Sequence, residues 1–295
     1  MEDDARGHSL ETTVCVSKST ATTARRDGAT MNKILPWLLG ATMVFAAHTS
    51  SAEELVEVTT SRGVEQRYLL EIPDEEPSAI VLLFAGGKGA LNLNNGLFGP
   101  AINWGKNNFL VRTRKDLAKQ GFIVVTVDAP SDKQGNQGMY GGYRVSSDHV
   151  TDIDTVIANV RETANLPVWL VGTSRGTESA AYLGIHSQQG PAGLVLTSSM
   201  TEPNRKGVAL TELPLQQVAI PTLITHHNND GCRWTQPDGA KRIQKMLTAA
   251  PVVKLAMFDG GSEQSKPCKA RSYHGYLGIE DEVIEAIAGF IKANS

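Results

Sequence analysis

VWLVGTSRGTESAAYL, residues 168–183, runs from a short apolar segment through Gly172-Thr173-Ser174-Arg175-Gly176 into a helix-length segment rich in small residues. This is the G-x-S-x-G arrangement, in which a sharp strand-to-helix turn pushes a serine hydroxyl clear of a sheet. Glycine is needed on either side because a side chain there would collide with the neighbouring strand and helix. The helix N-terminus behind the turn places positive partial charge beside a developing oxyanion. The five-residue pattern is common by chance, and the strand before it and helix after it give it weight. The competing reading is a glycine-rich turn that only packs, or one that binds phosphate.

Working outward, continuous apolar runs occur at Ala79 to Phe84, Phe122 to Val127, Val168 to Val171, Leu194 to Thr197, Thr222 to Thr225 and Val253 to Phe258. Runs without alternation are expected of strands covered on both faces. Helical patterns separate them, at Leu110 to Gln120, Asp148 to Ala164, Arg175 to Ser187, Pro237 to Thr248 and Ile279 to Ala293. Upstream, Leu55 to Ile72 alternates around Ser61-Arg62-Gly63 and predicts a β-hairpin. The expectation is an α/β domain with about eight strands, antiparallel first and mostly parallel afterwards. Two segments lack regular pattern, Gly86 to Asn108 and Ser131 to Tyr143. Both leave the carboxyl ends of strands, where open α/β sheets bind ligands.

With Ser174 as nucleophile, an acid and then a histidine should follow in the chain. Asp230 follows the strand PTLITHH, and His274 lies in the loop between the last strand and the last helix. Asp230 would orient the His274 imidazole, which would take the serine proton and later return it to the leaving group. Rivals are weaker. His226 and His227 precede the acid and point to opposite faces of a strand. His149 and His186 fall within helices, where packing or surface roles are usual. Asp128 precedes Ser174, so Asp259 is the better competitor for the acid.

Beyond Cys15 the chain has only Cys232, two residues after Asp230, and Cys268, six before His274. A disulfide between them would hold the acid and histidine loops in register; the alternative is two unpaired buried thiols. The cluster of Cys232, His226, His227, Asp230 and His274 lacks the usual compact metal-ligand spacings, so no metal and no cofactor is expected. Two backbone amides should form the oxyanion hole, one from Arg175 and one from the loop Leu83 to Gly89, with Gly87 first and Lys88 next.

On these residues the chain resembles the α/β-hydrolase superfamily from about Ala79 to the C-terminus. PVWLVGTSRGT, HHNNDGC and KPCKARSYHGYLGIE are more closely similar to a group of exported bacterial α/β-hydrolases. The resemblance implies a mostly parallel eight-stranded sheet with helices on both faces. It also implies Ser174, Asp230 and His274 as triad, with the paired cysteines beside the last two. One departure is Ala85-Gly86-Gly87 where many esterases carry His-Gly-Gly. About twenty residues separate Ser198 from Ile220, which leaves no room for a large cap domain there.

The 295 residues, 41% hydrophobic and with a formal net charge of -3, carry no electrostatic footprint for nucleic acid. MNKILPWLLGATMVFAAHTSSAEE from Met31 has the charged, apolar and small-residue regions of a signal peptide cut after Ala52. Residues 1–30 lack hydrophobic periodicity and are expected to be disordered and outside the native product, with Met31 as the start. The competing reading of 31–52 is an uncleaved anchor, which Pro36, Gly40 and His48 weaken. Residues 53–295 would then be one exported domain with no stable membrane span. Its expected activity is hydrolysis of a small carboxylic ester through an acyl-enzyme on Ser174. The alternatives are an amide or peptide hydrolase, and a non-catalytic binding protein on the same fold.

Overall fold

The computed structural model describes residues 53–295. The readings of residues 1–30 and of the signal peptide therefore lie outside the described residues. Strands β1 (Glu54–Thr59) and β2 (Glu65–Glu71) form the expected antiparallel hairpin, with Thr59 opposite Glu65. Gly63 sits in the turn at φ 74°, a backbone conformation that glycine adopts without strain. Then come β3 (Ala79–Phe84), a small hairpin of β4 (Leu93–Gly96) and β5 (Gly99–Ile102), and α1 (Phe109–Ala118). The chain continues through β6 (Phe122–Val127), α2 (Ser147–Thr163), β7 (Val168–Thr173), α3 (Gly176–His186) and β8 (Gly193–Thr197). It ends with β9 (Thr222–His227), α4 (Pro237–Met246), β10 (Val253–Phe258) and α5 (Glu280–Asn294).

Eight strands form one sheet in the order β1-β2-β6-β3-β7-β8-β9-β10. The pairings within β6-β3-β7-β8-β9-β10 are all parallel, and β2 joins β6 antiparallel. Alternate side chains of the central strands feed two cores. Ile80, Leu82 and Phe84 pack towards α2, α3 and α4, whereas Ala79, Val81 and Leu83 pack towards α1 and α5. Burial on both faces explains why these strands read as unbroken apolar runs. From β3 the chain moves to β6 on one side and, after α2, to β7 on the other. The crevice beyond the carboxyl ends of β3 and β7 is thus the switch point where such sheets bind ligands.

The segment from Gly86 to Asn108, expected to be irregular, contains the β4–β5 hairpin, with Leu93 opposite Ile102. Five of the eight residues in its strands, LNNG and GPAI, are Asn, Gly or Pro, which are depleted in strands, so only the tertiary fold reveals it. Among the described residues no helix is long and apolar enough to cross a membrane.

Candidate active site

Strand β7 continues two residues past its apolar run, and the backbone then turns at Ser174, which has φ 52°. A non-glycine residue there is strained, and such strain persists only where its surroundings enforce it. Here a Cβ on Gly172 would lie 2.4 Å from Gly176 O, and one on Gly176 would lie 1.9 Å from Phe84 O. Both glycines are therefore obligatory, and together they press the start of α3 against the ends of β7 and β3. The Ser174 amide donates to Thr197 O at 3.0 Å, which leaves the side chain facing out of the sheet. Among the described residues Ser174 Oγ has no hydrogen-bond partner.

Ser174 lines a cavity of about 830 Å³ together with Gly86, Gly87, Arg175 and His274. The amides of Gly86, Gly87 and Arg175 are not taken by any other described group, so they remain free as donors beside the serine. Gly86 lies close beside the serine and has no room for a side chain, since a Cβ there would lie 2.9 Å from Ser174 Cβ. Lys88 is not brought to the cavity. Its carbonyl accepts the Met139 amide at 2.8 Å, and its Nζ lies 5.5 Å from the centre of the Trp104 ring.

Asp230 and His274, 44 residues apart, meet in the interior, with His274 Nδ1 at 2.9 Å from Asp230 Oδ2. Thr235 completes the group: its hydroxyl donates to Asp230 Oδ2 at 2.9 Å and lies 3.0 Å from His274 Nδ1. With the threonine proton directed at the carboxylate, both oxygens around Nδ1 are acceptors. They fix the imidazole proton on Nδ1 and leave Nε2 with its lone pair. Burial pushes the Asp230 carboxyl up, but the imidazoles of His274 and His226 beside it prevail and hold it well below the usual carboxylate range. The Cys232 amide bonds its other oxygen at 2.9 Å.

Two further supports hold these loops. Cys232 and Cys268 form a disulfide, as the spacing suggested. From the other side Ser198 Oγ donates to His274 O at 2.8 Å, and Arg112 of α1 donates to Gly275 O and Ala270 O.

The rivals have other occupations. His226 Nε2 donates to Thr235 O at 2.8 Å and lies 3.4 Å from Asp230, so it backs the acid. His227 turns to the opposite face, where its Nε2 reaches Gly260 O. Buried His149 packs against Phe84 and Tyr143, and His186 packs against Tyr182. Asp128 accepts three backbone amides, and Asp259 accepts from the Asn228 side chain. Thr235 and His226 were not identified from sequence as partners of Asp230. Their only trace is position, five residues after the acid and four before it. Among the described residues no group of three or more His, Cys, Asp or Glu is arranged to hold a metal ion.

Over residues 107–257 the chain matches the family model described as serine aminopeptidase, S33. No curated protein matches it by sequence. Among solved structures it is similar to an esterase from Pyrococcus furiosus, with TM-score 0.60 and 13% identity over 83% of this chain and 91% of that one. A cold-adapted esterase from an Arctic intertidal metagenomic library gives TM-score 0.56 and 15% identity, covering 82% and 95% of the two chains. A thermostable carboxyl esterase from Bacillus coagulans gives 0.55 and 15%, covering 83% and 99%. At these identities the likeness speaks for the fold.

Proposed function

We infer, for a chain that belongs to the serine aminopeptidase S33 family and has the α/β-hydrolase fold, that it hydrolyses small carboxylic esters through an acyl-enzyme on Ser174. The observation that carries this reading is the opening of strained Ser174 onto the same cavity as a histidine whose Nδ1 is bound to a buried carboxylate. A serine hydroxyl is a weak nucleophile at neutral pH and needs such a base.

In the first half-reaction Ser174 Oγ attacks the ester carbonyl carbon and its proton passes to His274 Nε2. Asp230 stabilises the imidazolium that forms, and the amides of Arg175 and Gly87 receive the oxyanion. The carbonyl re-forms, the alkoxide leaves with the proton from His274, and the acyl group stays on Ser174. Water then attacks the acyl-enzyme, its proton passes to His274 and on to Ser174 Oγ, and the carboxylic acid departs. An ester is favoured over a peptide with a free N-terminus because no Asp or Glu lines the cavity to receive an α-ammonium.

Export from the cell belongs to the same reading: 31–52 act as signal peptide and 53–295 as the mature domain. The Cys232–Cys268 bond supports it, since such bonds persist in oxidising compartments. N-terminal sequencing of exported material should begin at Glu53, and an intact Met1 would refute this part.

The test is hydrolysis of 4-nitrophenyl esters of several acyl lengths, with stoichiometric fluorophosphonate labelling of Ser174. Ser174→Ala should lower kcat by roughly 10⁴-fold or more and abolish the label. Absence of both hydrolysis and label in the parent would instead favour a binding protein.

A further inference from the structure

The cavity that opens on Ser174 is lined by six Lys or Arg residues and by no Asp or Glu. The chain as a whole carries 28 basic and 31 acidic residues, so a rim drawn at random would mix both signs. Resting on the hydrolase reading above, we propose that the natural substrate is a small ester carrying an anionic oxygen group, a carboxylate above all, held at the rim by Lys106, Arg205, Lys206, Arg233 and Lys269.

The sixth cation is already satisfied. Arg175 donates to Glu178 at 2.7 Å and to Asn204 Oδ1 at 2.5 Å, so it braces the wall and is not free for substrate. None of the other five forms an ion pair with a carboxylate among the described residues. They reach the rim from separate segments. Lys106 lies between β5 and α1, and Arg205 and Lys206 occupy the tip of a turn closed by reciprocal Asn204–Gly207 hydrogen bonds of 3.0 Å. Arg233 and Lys269 each follow one half of the Cys232–Cys268 disulfide. Tight turns and a covalent bond thus fix the backbone from which these side chains extend.

Two of these side chains are also held against aromatic faces. The Arg233 guanidinium lies 4.3 Å from the centre of the Trp234 ring, and Lys206 Nζ lies 4.6 Å from that of Tyr140. Both rings line the cavity, so these cations lie along its wall. Converging charge of one sign raises the local concentration of an oppositely charged substrate and its rate of capture, an effect that salt screens. Arginine adds bidentate geometry suited to a carboxylate.

Two matched pairs of esters test this. 4-Acetoxybenzoate against 4-acetoxybenzamide places the charge on the leaving group. The 4-nitrophenyl hemiester of adipate against 4-nitrophenyl hexanoate places it on the acyl group. Each kcat/KM is normalised to the hydroxide-catalysed rate of the same ester. In at least one pair the anion should be preferred about tenfold or more at low ionic strength, and the preference should shrink several-fold in 0.5 M NaCl. Arg205→Gln with Lys206→Gln, and separately Arg233→Gln with Lys269→Gln, should each lower the ratio several-fold; a ratio is independent of the folded fraction. Ratios near or below one in both pairs, or ratios that neither salt nor these variants move, would overturn the inference while leaving ester hydrolysis intact. If no ester is hydrolysed, the hydrolase reading fails by itself. Calorimetry of 4-acetoxybenzoate with Ser174→Ala then decides for the rim: salt-sensitive binding sustains the anion site, and no binding removes it.

Discussion

The two walls of the cavity are secured by opposite means. On one side, Asp230 and His274 sit in two loops joined by the Cys232–Cys268 disulfide and by a dense set of side-chain hydrogen bonds. On the other, residues 86–108 and 131–143 form long Gly- and Asn-rich loops with no covalent tie. These are held by buried charges that grip backbone. Asp128 accepts the amides of Leu91, Leu93 and Ala129 at 2.6–2.8 Å. Buried Arg144 donates to Ala85 O and to Ser179 Oγ, each at 2.8 Å. The Met139 amide, bonded to Lys88 O at 2.8 Å, joins the two loops to each other. The first wall fixes relative positions of side chains, as the proposed proton transfer requires. The second fixes backbone, which suffices to present the free amides of Gly86 and Gly87 and leaves the outer loop residues free to shape the pocket.

If the first wall is the chemical one, its acid should dominate the kinetics. Asp230→Asn should lower kcat by roughly 10⁴-fold with little change in KM, because an amide no longer enforces the Nδ1 proton or stabilises an imidazolium. The same carboxylate bears on stability through its lowered folded-state pKa. Its contribution is present above the unfolded value near ~4 and is lost as pH falls through that value towards the folded one. Denaturant titrations should therefore show the parent's advantage over Asp230→Asn narrowing as pH falls below about 4. An advantage that widens there would contradict the pairing. The next effect belongs to the opposite wall. Asp128→Ala would strand three buried amides, at about 1–3 kcal/mol each before relaxation, for an expected loss of roughly 4 kcal/mol in urea unfolding. Because that wall presents the Gly87 amide proposed to receive the oxyanion, surviving protein should show a lowered kcat together with any rise in KM. A loss under about 1 kcal/mol would show that the loops hold without it.

Of these two walls the sequence disclosed one well and the other poorly. Phe122 to Val127 and Ala79 to Phe84 were bounded to the residue because burial on both faces writes itself as an unbroken apolar run. Strand β7 was read two residues short, since Gly172 and Thr173 look like turn residues although they still pair with β8. Asp230 and His274 stood out through chain order and through the only two cysteines after residue 52. Thr235 was missed because a threonine in a loop carries no mark of what it will face. The β4–β5 hairpin was missed because its residues disfavour strands and its anchor, Asp128, lies far from it in sequence. The five rim cations were invisible for a related reason: scattered along some 160 residues, they become a set only when the sheet gathers the loop ends.

Removing the covalent tie tests how far the first wall depends on it. Cys232→Ser with Cys268→Ser opens a closure across a sequence separation of 36 residues. The chain-entropy relation gives a loss of roughly 3–4 kcal/mol, readable as a lower urea midpoint. The hydrogen bonds around His274 are independent of it, since Ser198 and Arg112 hold that loop from the opposite side. At low denaturant, kcat should therefore fall far less than in Asp230→Asn. A fall of similar size would mean that the disulfide itself keeps the pair in register.

Thr235 gives the smallest and most discriminating change. Valine keeps the shape of threonine but removes the hydroxyl that donates to Asp230 and lies beside His274 Nδ1. The direct Asp230–His274 bond needs no help from the hydroxyl to exist, so Thr235→Val should retain the correct tautomer. What it loses is one hydrogen bond to a charged group, worth about 1.5–3 kcal/mol when the acceptor is ionised. Part of that is felt in ground and transition states alike, so the expected kinetic effect is roughly tenfold in kcat with KM unchanged. Thr235→Ser restores the hydroxyl and should recover most of the rate, which a purely structural role for the side chain would not require. If valine costs nothing, the covalent tie and the loop anchors suffice to aim the acid. If it costs as much as Asp230→Asn, the hydroxyl is what keeps the carboxylate facing the imidazole, and the distinction between a wall fixed by side chains and one fixed by backbone would rest on that single group.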